Sequence, residues 1–165
     1  VVRYGNVAGS RGSVIPFFNE IKNSGSLPVT DLRMTRFLIT LEEAVKTVIF
    51  SFKEMTGSEI FVKKIPSVRI VDLAKMIAPD CKIKEIGLRP GEKLHEQLIS
   101  SDEASYTYEF NDYFKILSPL NNWDTCSKRI KGGKKVSQSF TYTSDENNSW
   151  LEKSGLSEWL KKIGS

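Results

Sequence analysis

The loop Arg89-Pro90-Gly91-Glu92 places a cation three residues before a carboxylate. The planar guanidinium of Arg89 can bind two phosphate oxygens at once, and the carboxylate of Glu92 can accept hydrogen bonds from ribose hydroxyls. Pro90 fixes one backbone angle and Gly91 frees the next, so the loop is tight and preset. A cation beside a carboxylate suits a nucleotide ligand, and a β-turn with an incidental ion pair is the alternative.

A second candidate site is the stretch 4–13, where Gly5, Gly9 and Gly12 stand between a predicted strand and a predicted helix. A glycine-rich turn in that position is typical of dinucleotide-binding loops. The spacing here is Gly-x3-Gly-x2-Gly, and no second strand ending in a charged residue follows at the expected distance. From the residues alone, a phosphate-binding loop and a purely structural turn both stay open.

Other chemically capable groups have simpler explanations. His95 is the only histidine and could act as a general base, but a structural role together with Glu96 is favoured. The paired carboxylates at 42–43 and 102–103 stand at predicted helix starts, where the helix dipole stabilises them without any glycosidase chemistry. Cys81 and Cys126 lie far apart without metal-ligand spacing, so we expect two reduced thiols, with a disulfide as the alternative.

Helices and strands alternate along the predicted chain. The predicted helices cover residues 14–23, 41–55, 70–78, 101–104 and 146–163, and the predicted strands cover 1–4, 29–30, 59–63, 82–87 and 106–118. Ser13 is the predicted N-cap of the first helix. A capping box over 40–43 begins the second helix, whose apolar residues recur at helical spacing, namely Leu41, Ala44, Val45, Val48, Ile49 and Phe52. Arg36 falls in a predicted loop, and 92–99 fits either helix or strand.

Length and composition bound the class of protein. The 165 residues suit one domain, and no signal peptide or apolar run of about 18 residues is present. We therefore expect a cytoplasmic protein without membrane insertion. The net charge of +4 owes much to the cluster 128–135, for which a solvated loop is favoured over a nucleic-acid contact because no aromatic residues are interleaved.

Three segments carry a resemblance to a known family: residues 1–10, residues 34–44 and residues 89–96. Their order and spacing resemble the second half of extended short-chain dehydrogenase/reductases that act on nucleotide sugars. Within that superfamily the chain is similar to the inverting UDP-N-acetylglucosamine 4,6-dehydratases of capsule and flagellar-glycan synthesis, from Val1 to about Trp150. Thr35-Arg36-Phe37, where related epimerases have Arg followed by Asp, agrees with the dehydratase group.

The resemblance implies roles for individual residues. Arg36 and Arg89 would pair with the substrate diphosphate, Asn6 would bind the diphosphate or sugar, and Glu92 would accept from ribose. The backbone N–H groups near Ser13 and Val14 would face a phosphate or uracil oxygen. The cofactor-facing backbone would be that of Tyr4, Gly5 and Val7. No catalytic residue and no metal site is expected in this chain.

The implied fold is α/β, the C-terminal substrate-binding portion of an extended short-chain dehydrogenase/reductase and therefore an incomplete Rossmann-type fold. Residues 1–165 would form one substrate-nucleotide-binding portion, with a polar loop region over 119–145 and a helical tail over 146–163. The N-terminal NADP-binding half, with its catalytic Tyr-x3-Lys, is expected to be absent, which would leave this chain inactive alone and residues 1–4 as a strand with an exposed edge.

The implied activity of the whole protein is conversion of UDP-N-acetylglucosamine to a 4-keto-6-deoxy sugar with inversion at C5, for surface polysaccharide or pseudaminic acid synthesis. NADP is the expected cofactor. A UDP-sugar, the missing N-terminal half and further copies of the chain are the expected partners. Two alternatives remain: a fragment of another nucleotide-sugar epimerase or dehydratase, and a non-catalytic binding or assembly module.

Overall fold

The computed structural model describes residues 1–10, 12–120 and 127–164. The strands in these ranges are β1 (Val2–Arg3), β2 (Asn6–Val7), β3 (Ser26–Val29), β4 (Thr35–Ile39), β5 (Ile60–Lys63), β6 (Ser67–Arg69), β7 (Lys82–Glu85), β8 (Gln97–Ile99), β9 (Thr107–Glu109), β10 (Tyr113–Ile116), β11 (Lys134–Lys135) and β12 (Tyr142–Thr143). The helices are α1 (Val14–Ile21), α2 (Leu41–Glu54), α3 (Ile70–Ile77), α4 (Ser101–Ala104), α5 (Ser127–Ile130) and α6 (Lys153–Gly164), and a 3₁₀ turn covers Lys22–Ser24. The predicted α/β class is confirmed. Cys81 is a free thiol, whereas Cys126 lies outside the described residues.

The chain divides into two compact units. The first, here called the sheet unit, comprises Val1–Tyr4, Glu42–Lys64 and Gln97–Thr143. The second, here called the cavity unit, comprises Gly5–Leu41, Ile65–Glu96 and Ser144–Ser165.

The sheet unit is built on a five-stranded sheet in the order β1-β5-β10-β9-β11. β1 runs parallel to β5, with Val2 opposite Phe61, and the remaining pairs are antiparallel. The aromatic stretch predicted as a strand or hairpin arm forms the β9–β10 hairpin, and Phe110 and Tyr113 stack across its turn with ring centroids 4.6 Å apart. β8 and β12 form a separate antiparallel pair in this unit.

A buried ion pair ties α5 into the sheet unit. Arg129 Nη2 lies 3.2 Å from Glu59 Oε1, and both side chains are almost fully buried. Arg129 Nε also donates to Thr56 Oγ1 at 2.8 Å, which helps to satisfy the buried guanidinium. The expectation of a solvated loop over 128–135 is therefore wrong for Arg129, although Lys134 and Lys135 are exposed.

Helix α2 begins and ends close to its predicted bounds, but its orientation was not foreseen. The buried residues of the helix are Ala44, Thr47 and Ser51. The two hydroxyls donate to backbone carbonyls one turn earlier, Thr47 to Glu43 at 2.7 Å and Ser51 to its neighbour Thr47 at 2.8 Å, which removes the cost of burying them. The apolar stripe, apart from Ala44 and the half-buried Val48, faces outward.

The cavity unit contains a three-stranded sheet, β2-β4-β6, and the parallel pair β3–β7. Helices α1, α3 and α6 pack around these strands in two apolar clusters, one centred on Leu38, Leu73 and Trp159 and the other on Phe18, Leu27 and Ile70. The tail helix starts at Lys153 and not near 146. Residues before it run alongside β6, where Trp150 bridges Ser67, because backbone pairing there replaces helical bonds.

Gly5 is required by close packing in this unit. A Cβ atom at this position would lie 2.4 Å from Phe37 Cβ and 2.6 Å from the Phe37 carbonyl oxygen. Real Cβ atoms do not approach other atoms so closely, so only glycine lets the chain before β2 lie against β4. Packing therefore accounts for one glycine of the 4–13 stretch.

Candidate functional site

A cavity of about 540 Å³ lies within the cavity unit. This volume falls in the range of pockets that hold cofactor-sized ligands, roughly 300–1,000 Å³. The cavity has a largely apolar wall from α1 and β4, including Ile15, Phe17 and Leu38, and a polar rim. All six residues predicted to bind the substrate line it, namely Asn6, Ser13, Val14, Arg36, Arg89 and Glu92.

Of the three residues predicted to face a cofactor, one lines the cavity and two do not. Val7 lines the cavity, but Tyr4 and Gly5 are not among the lining residues. Tyr4 belongs to the sheet unit, and Gly5 is explained by its approach to Phe37. Among the described residues, no group of three or more His, Cys, Asp or Glu side chains is placed to hold a metal ion.

The N-terminus of α1 opens into the cavity. Ser13 has the extended backbone of an N-cap, with φ −75° and ψ 161°, but its hydroxyl makes no capping bond, and its buried Oγ has no hydrogen-bond partner among the described residues. Ser13 is therefore the N-cap residue of α1, as predicted, although its side chain does not cap the helix. The N–H groups of Val14 and Ile15 have no helical acceptor, and Pro16 has no N–H.

The helix end is also electrostatically uncompensated by its own residues, since its first turn contains no acidic residue. The partial positive charge of a helix N-terminus attracts anions. Together with the two backbone N–H groups, it gives this wall of the cavity the chemistry of an anion site.

Arg36 lies on β4, opposite Val68 of β6, and not in a loop as predicted. Its guanidinium donates to three backbone carbonyls, those of Thr35 at 2.7 Å, Lys93 at 2.8 Å and Leu94 at 3.0 Å. Glu96 Oε1 lies 3.5 Å from its Nε, and only 13% of the Arg36 side chain is exposed. Arg36 thus fastens the segment after Glu92 to the sheet, a role that sequence reasoning missed.

Glu92 and Arg89 form the other side of the rim. The Glu92 N–H donates to the Arg89 carbonyl at 3.0 Å and closes the turn. The Glu92 carboxylate accepts from the Arg89 backbone N–H at 3.3 Å and from Thr30 Oγ1 at 3.3 Å. The Arg89 guanidinium makes no ion pair with the described residues, so the incidental Arg89–Glu92 pair considered above is not formed in the structure.

Thr30 and Ile86 complete this part of the lining and were not predicted. They follow β3 and β7, two parallel strands in which Val29 pairs with Glu85. The alternation of charged and apolar residues over 82–87 was a usable signal for β7, but nothing in the sequence paired it with β3.

His95 lies beside the cavity lining and not in it. Its Nδ1 is 2.8 Å from Thr35 Oγ1, which in turn is 2.7 Å from Ser144 Oγ, and its Nε2 is 3.8 Å from Asp145 Oδ2. An acid, an imidazole and a hydroxyl in series resemble a nucleophilic triad. The hydroxyls are buried, however, and Ser144 Oγ already accepts from the Glu96 N–H at 2.9 Å. The arrangement therefore holds the end of the loop in place.

Asp31 and Arg33 form a local ion pair next to β3. Arg33 Nη2 lies 2.8 Å from Asp31 Oδ2, and the Arg33 backbone N–H donates to Asp31 Oδ1 at 2.8 Å. These bonds from Arg33 lower the pKa of Asp31 to about 2. The carboxylate stays ionised at neutral pH and fixes the turn that leads into β4.

Comparison with known proteins places this geometry in context. The family model described as polysaccharide biosynthesis protein matches residues 1–118. The chain is 48% identical over 165 residues to a UDP-N-acetylglucosamine 4,6-dehydratase (inverting) from Campylobacter jejuni, covering 96% of this chain and 49% of that protein. It is 40% identical over 149 residues to a UDP-glucose 4-epimerase from Rickettsia canadensis, covering 87% of this chain and 44% of that one. The resemblance stated from the sequence is confirmed.

A solved structure supports the same relationship. The X-ray structure of Pen from Bacillus thuringiensis matches with a TM-score of 0.83 and 37% identity, covering 99% of this chain and 49% of that chain. The chain therefore spans about half the length of the curated relatives it matches. Within the described residues, no helix has the length and apolarity needed to cross a membrane.

Proposed function

The chain belongs to the polysaccharide biosynthesis protein family, and we propose that it is the UDP-sugar-binding portion of a nucleotide-sugar 4,6-dehydratase. The observation that carries the proposal is the convergence of three distant segments on one cavity. Asn6, Arg36 and Arg89 are far apart in sequence, yet all line the same 540 Å³ space. The nucleotide sugar is proposed as UDP-N-acetylglucosamine because the Campylobacter relative carries that substrate in its name.

Each part of the cavity has a proposed task. The open guanidinium of Arg89 and the two N–H groups at the start of α1 bind phosphate oxygens of the diphosphate. Glu92, held by Thr30 at 3.3 Å, accepts from ribose hydroxyls. Arg36 holds the loop that carries Arg89 and Glu92 against β4. Arg36 also lines the rim of the cavity, and its contact with the ligand is made from there.

The chemical steps belong to the whole protein. We propose NADP as its cofactor, which would supply hydride-transfer chemistry when bound. Of the predicted cofactor-facing residues, only Val7 lines the cavity, so we assign no step of the reaction to this chain. Its own contribution is to bind and orient the UDP group, and the other half of the protein is proposed to hold the cofactor and the catalytic residues. The whole protein is proposed to act in the cytoplasm.

Calorimetric titration of the chain with UDP and with UDP-N-acetylglucosamine tests the proposal. Wild-type chain is expected to bind both, and Arg89→Ala to lose about tenfold or more in affinity, because one charge-assisted phosphate contact contributes roughly 1.5–3 kcal/mol. Lys84→Ala is the matched control, since it removes one exposed positive charge from β7 of the same unit without touching the cavity lining. Equal losses in both variants, or no binding by a folded chain, would contradict the proposal.

A 4-epimerase is the second candidate, favoured by the 40% identity to the Rickettsia relative. The two candidates predict different sugar preferences. Tighter binding of UDP-glucose than of UDP-N-acetylglucosamine would support the epimerase. A non-catalytic assembly module would bind neither nucleotide.

A further inference from the structure

Three side chains of the cavity unit form a hydrogen-bonded chain, in the order Ser144, Thr35 and His95. Ser144 Oγ lies 2.7 Å from Thr35 Oγ1, and Thr35 Oγ1 lies 2.8 Å from His95 Nδ1. Both hydroxyl-bearing residues are buried, with 0% of Ser144 and 4% of Thr35 exposed. Because a buried hydroxyl does not face bulk water, its proton needs an acceptor within the protein.

One end of this chain has a fixed direction. The backbone N–H of Glu96 can only donate, and it donates to Ser144 Oγ at 2.9 Å. Among the described residues, the remaining partner of Ser144 Oγ is Thr35, so the Ser144 hydroxyl donates to Thr35 Oγ1. The Thr35 hydroxyl then donates to His95 Nδ1, which must carry no proton. The ring proton of His95 therefore lies on Nε2, the nitrogen that is 3.8 Å from Asp145 Oδ2.

The opposite direction would leave a buried proton without a partner. If His95 Nδ1 carried the ring proton, Thr35 Oγ1 would accept from it and would donate to Ser144 Oγ. Ser144 Oγ would then accept from both Thr35 and Glu96, and its own proton would have no acceptor within the part of the chain that the structure describes. Leaving a buried hydroxyl unsatisfied is unfavourable. His95 is therefore needed as the acceptor that completes the chain.

The hydrogen-bonded chain ends on the loop 89–96. Besides accepting from the Glu96 N–H, Ser144 donates its backbone N–H to the Glu96 carbonyl at 2.8 Å, so two bonds join these residues. Ser144 lies beyond residues 1–118, which the family model matches. A segment outside that match therefore holds the end of the loop.

We propose that Ser144, Thr35 and His95 are positioning residues for the proposed UDP site. Their hydrogen bonds fix the end of the loop, and the loop presents Arg89 and Glu92 to the cavity. None of these three described residues lines the cavity, so they act on the ligand through the loop. The inference rests on the proposed function for the identity of the ligand, and it adds three residues that set the affinity from outside the cavity.

Calorimetric titration with UDP tests the inference with paired variants. Thr35→Val keeps the shape of the side chain but removes the hydroxyl, and it is expected to lose about fivefold or more in UDP affinity, because a loosened loop must be ordered on binding. Thr35→Ser keeps the hydroxyl and should retain most of the affinity. His95→Leu should bind as weakly as Thr35→Val, whereas His95→Asn, whose amide oxygen can replace Nδ1 as the acceptor, should retain most of the affinity.

A control and a stability measurement separate positioning from general stabilisation. Ser24→Ala removes an exposed hydroxyl of the same unit, which donates to the Ser26 carbonyl at 2.9 Å and lies outside the cavity lining, and it is expected to bind UDP as wild type does. Urea unfolding reports the stability of each variant. Wild-type UDP affinity in Thr35→Val overturns the inference even if this variant unfolds more easily. Affinities of Thr35→Ser and His95→Asn as low as those of Thr35→Val and His95→Leu also overturn it, because packing and not hydrogen bonding would then decide.

NMR tests the direction of the hydrogen-bonded chain. His95 is the only histidine, so a sample prepared without a histidine tag gives a single pair of imidazole nitrogen signals. When the ring is neutral, the expected result is a proton on Nε2 and none on Nδ1, both before and after UDP is added. A proton on Nδ1 overturns the inference.

The outcome is separable from that of the proposed function. UDP binding by wild type together with equal binding by Thr35→Val leaves the proposed function intact and removes the positioning role. Absence of UDP binding by the folded wild-type chain contradicts the proposed function, and the positioning role is then overturned with it.

Discussion

The carbonyl oxygen of Leu94 accepts two hydrogen bonds from β4, one from Arg36 Nη1 at 3.0 Å and one from the Thr35 N–H at 3.2 Å. A single loop carbonyl is thus held by a strand backbone and by an almost buried guanidinium. The loop that contains Arg89 and Glu92 is therefore anchored to the sheet on its C-terminal side. Arg36 is therefore expected to act on the structure of the loop, whereas Arg89 is expected to act on the ligand.

Replacing Arg36 by Lys is expected to loosen the loop although the positive charge is kept. An ammonium cannot reach three carbonyls from one plane as the guanidinium does, and losing charge-assisted bonds in a nearly buried site costs about 2–4 kcal/mol. Hydrogen exchange of the amides of Thr35 and residues 93–96 should accelerate, and UDP affinity should fall. In Arg89→Ala the same amides should keep their wild-type exchange. Unchanged exchange in Arg36→Lys would mean that Arg36 acts on the ligand alone.

Gly5→Ala is expected to destabilise the chain by about 2–4 kcal/mol, because the added methyl would overlap Phe37 in a packed region. Gly155→Ala is the matched control. Its Cβ would meet no atom within 4 Å, and glycine inside a helix costs about 0.5–1 kcal/mol relative to alanine, so this change should stabilise. Urea unfolding of both variants measures the two effects. A Gly5→Ala variant with wild-type stability would show that β2 and β4 can move apart enough to admit the added methyl group.

The Asp31–Arg33 pair predicts a specific acid dependence of stability. The pKa of Asp31 is lowered from 3.8 to about 2 by Arg33, so folding favours the ionised carboxylate. Its contribution is complete above pH 4 and is lost as the pH falls from about 4 towards 2. The free energy of unfolding of wild type minus that of Asp31→Asn should therefore increase as the pH is raised from about 2 to about 4 and stay constant at higher pH. A difference that does not change over this range would contradict the assignment.

The sequence predicted the binding elements better than the supporting ones. Asn6, Arg89 and Glu92 were selected because their chemistry suits a nucleotide and because a family resemblance put them in register, and one cavity contains all three. That they bind a nucleotide stays a prediction. The position of Arg36 on β4 was missed, because its pairing with β6 and its bonds to residues 93–94 are long-range contacts that local patterns do not encode.

The tail over 146–152 was assigned to a helix by its apolar residues, but its backbone pairs with Ser67. Tertiary contacts there replaced the local preference, as is common where propensities are weak. Ser13 is the predicted N-cap residue of α1, although its hydroxyl makes no capping bond.

The buried side of α2 carries a consequence for how this region can vary. The hydroxyls of Thr47 and Ser51 donate to carbonyls within the helix. They therefore need no hydrogen-bond partner in the sheet against which the helix packs. Substitution at these positions is therefore limited by volume and hardly by polarity, so that Ser, Ala and Thr are interchangeable there while larger side chains are not. Hydrophobicity is a poor guide to the mutational tolerance of this helix, and side-chain size is the better one.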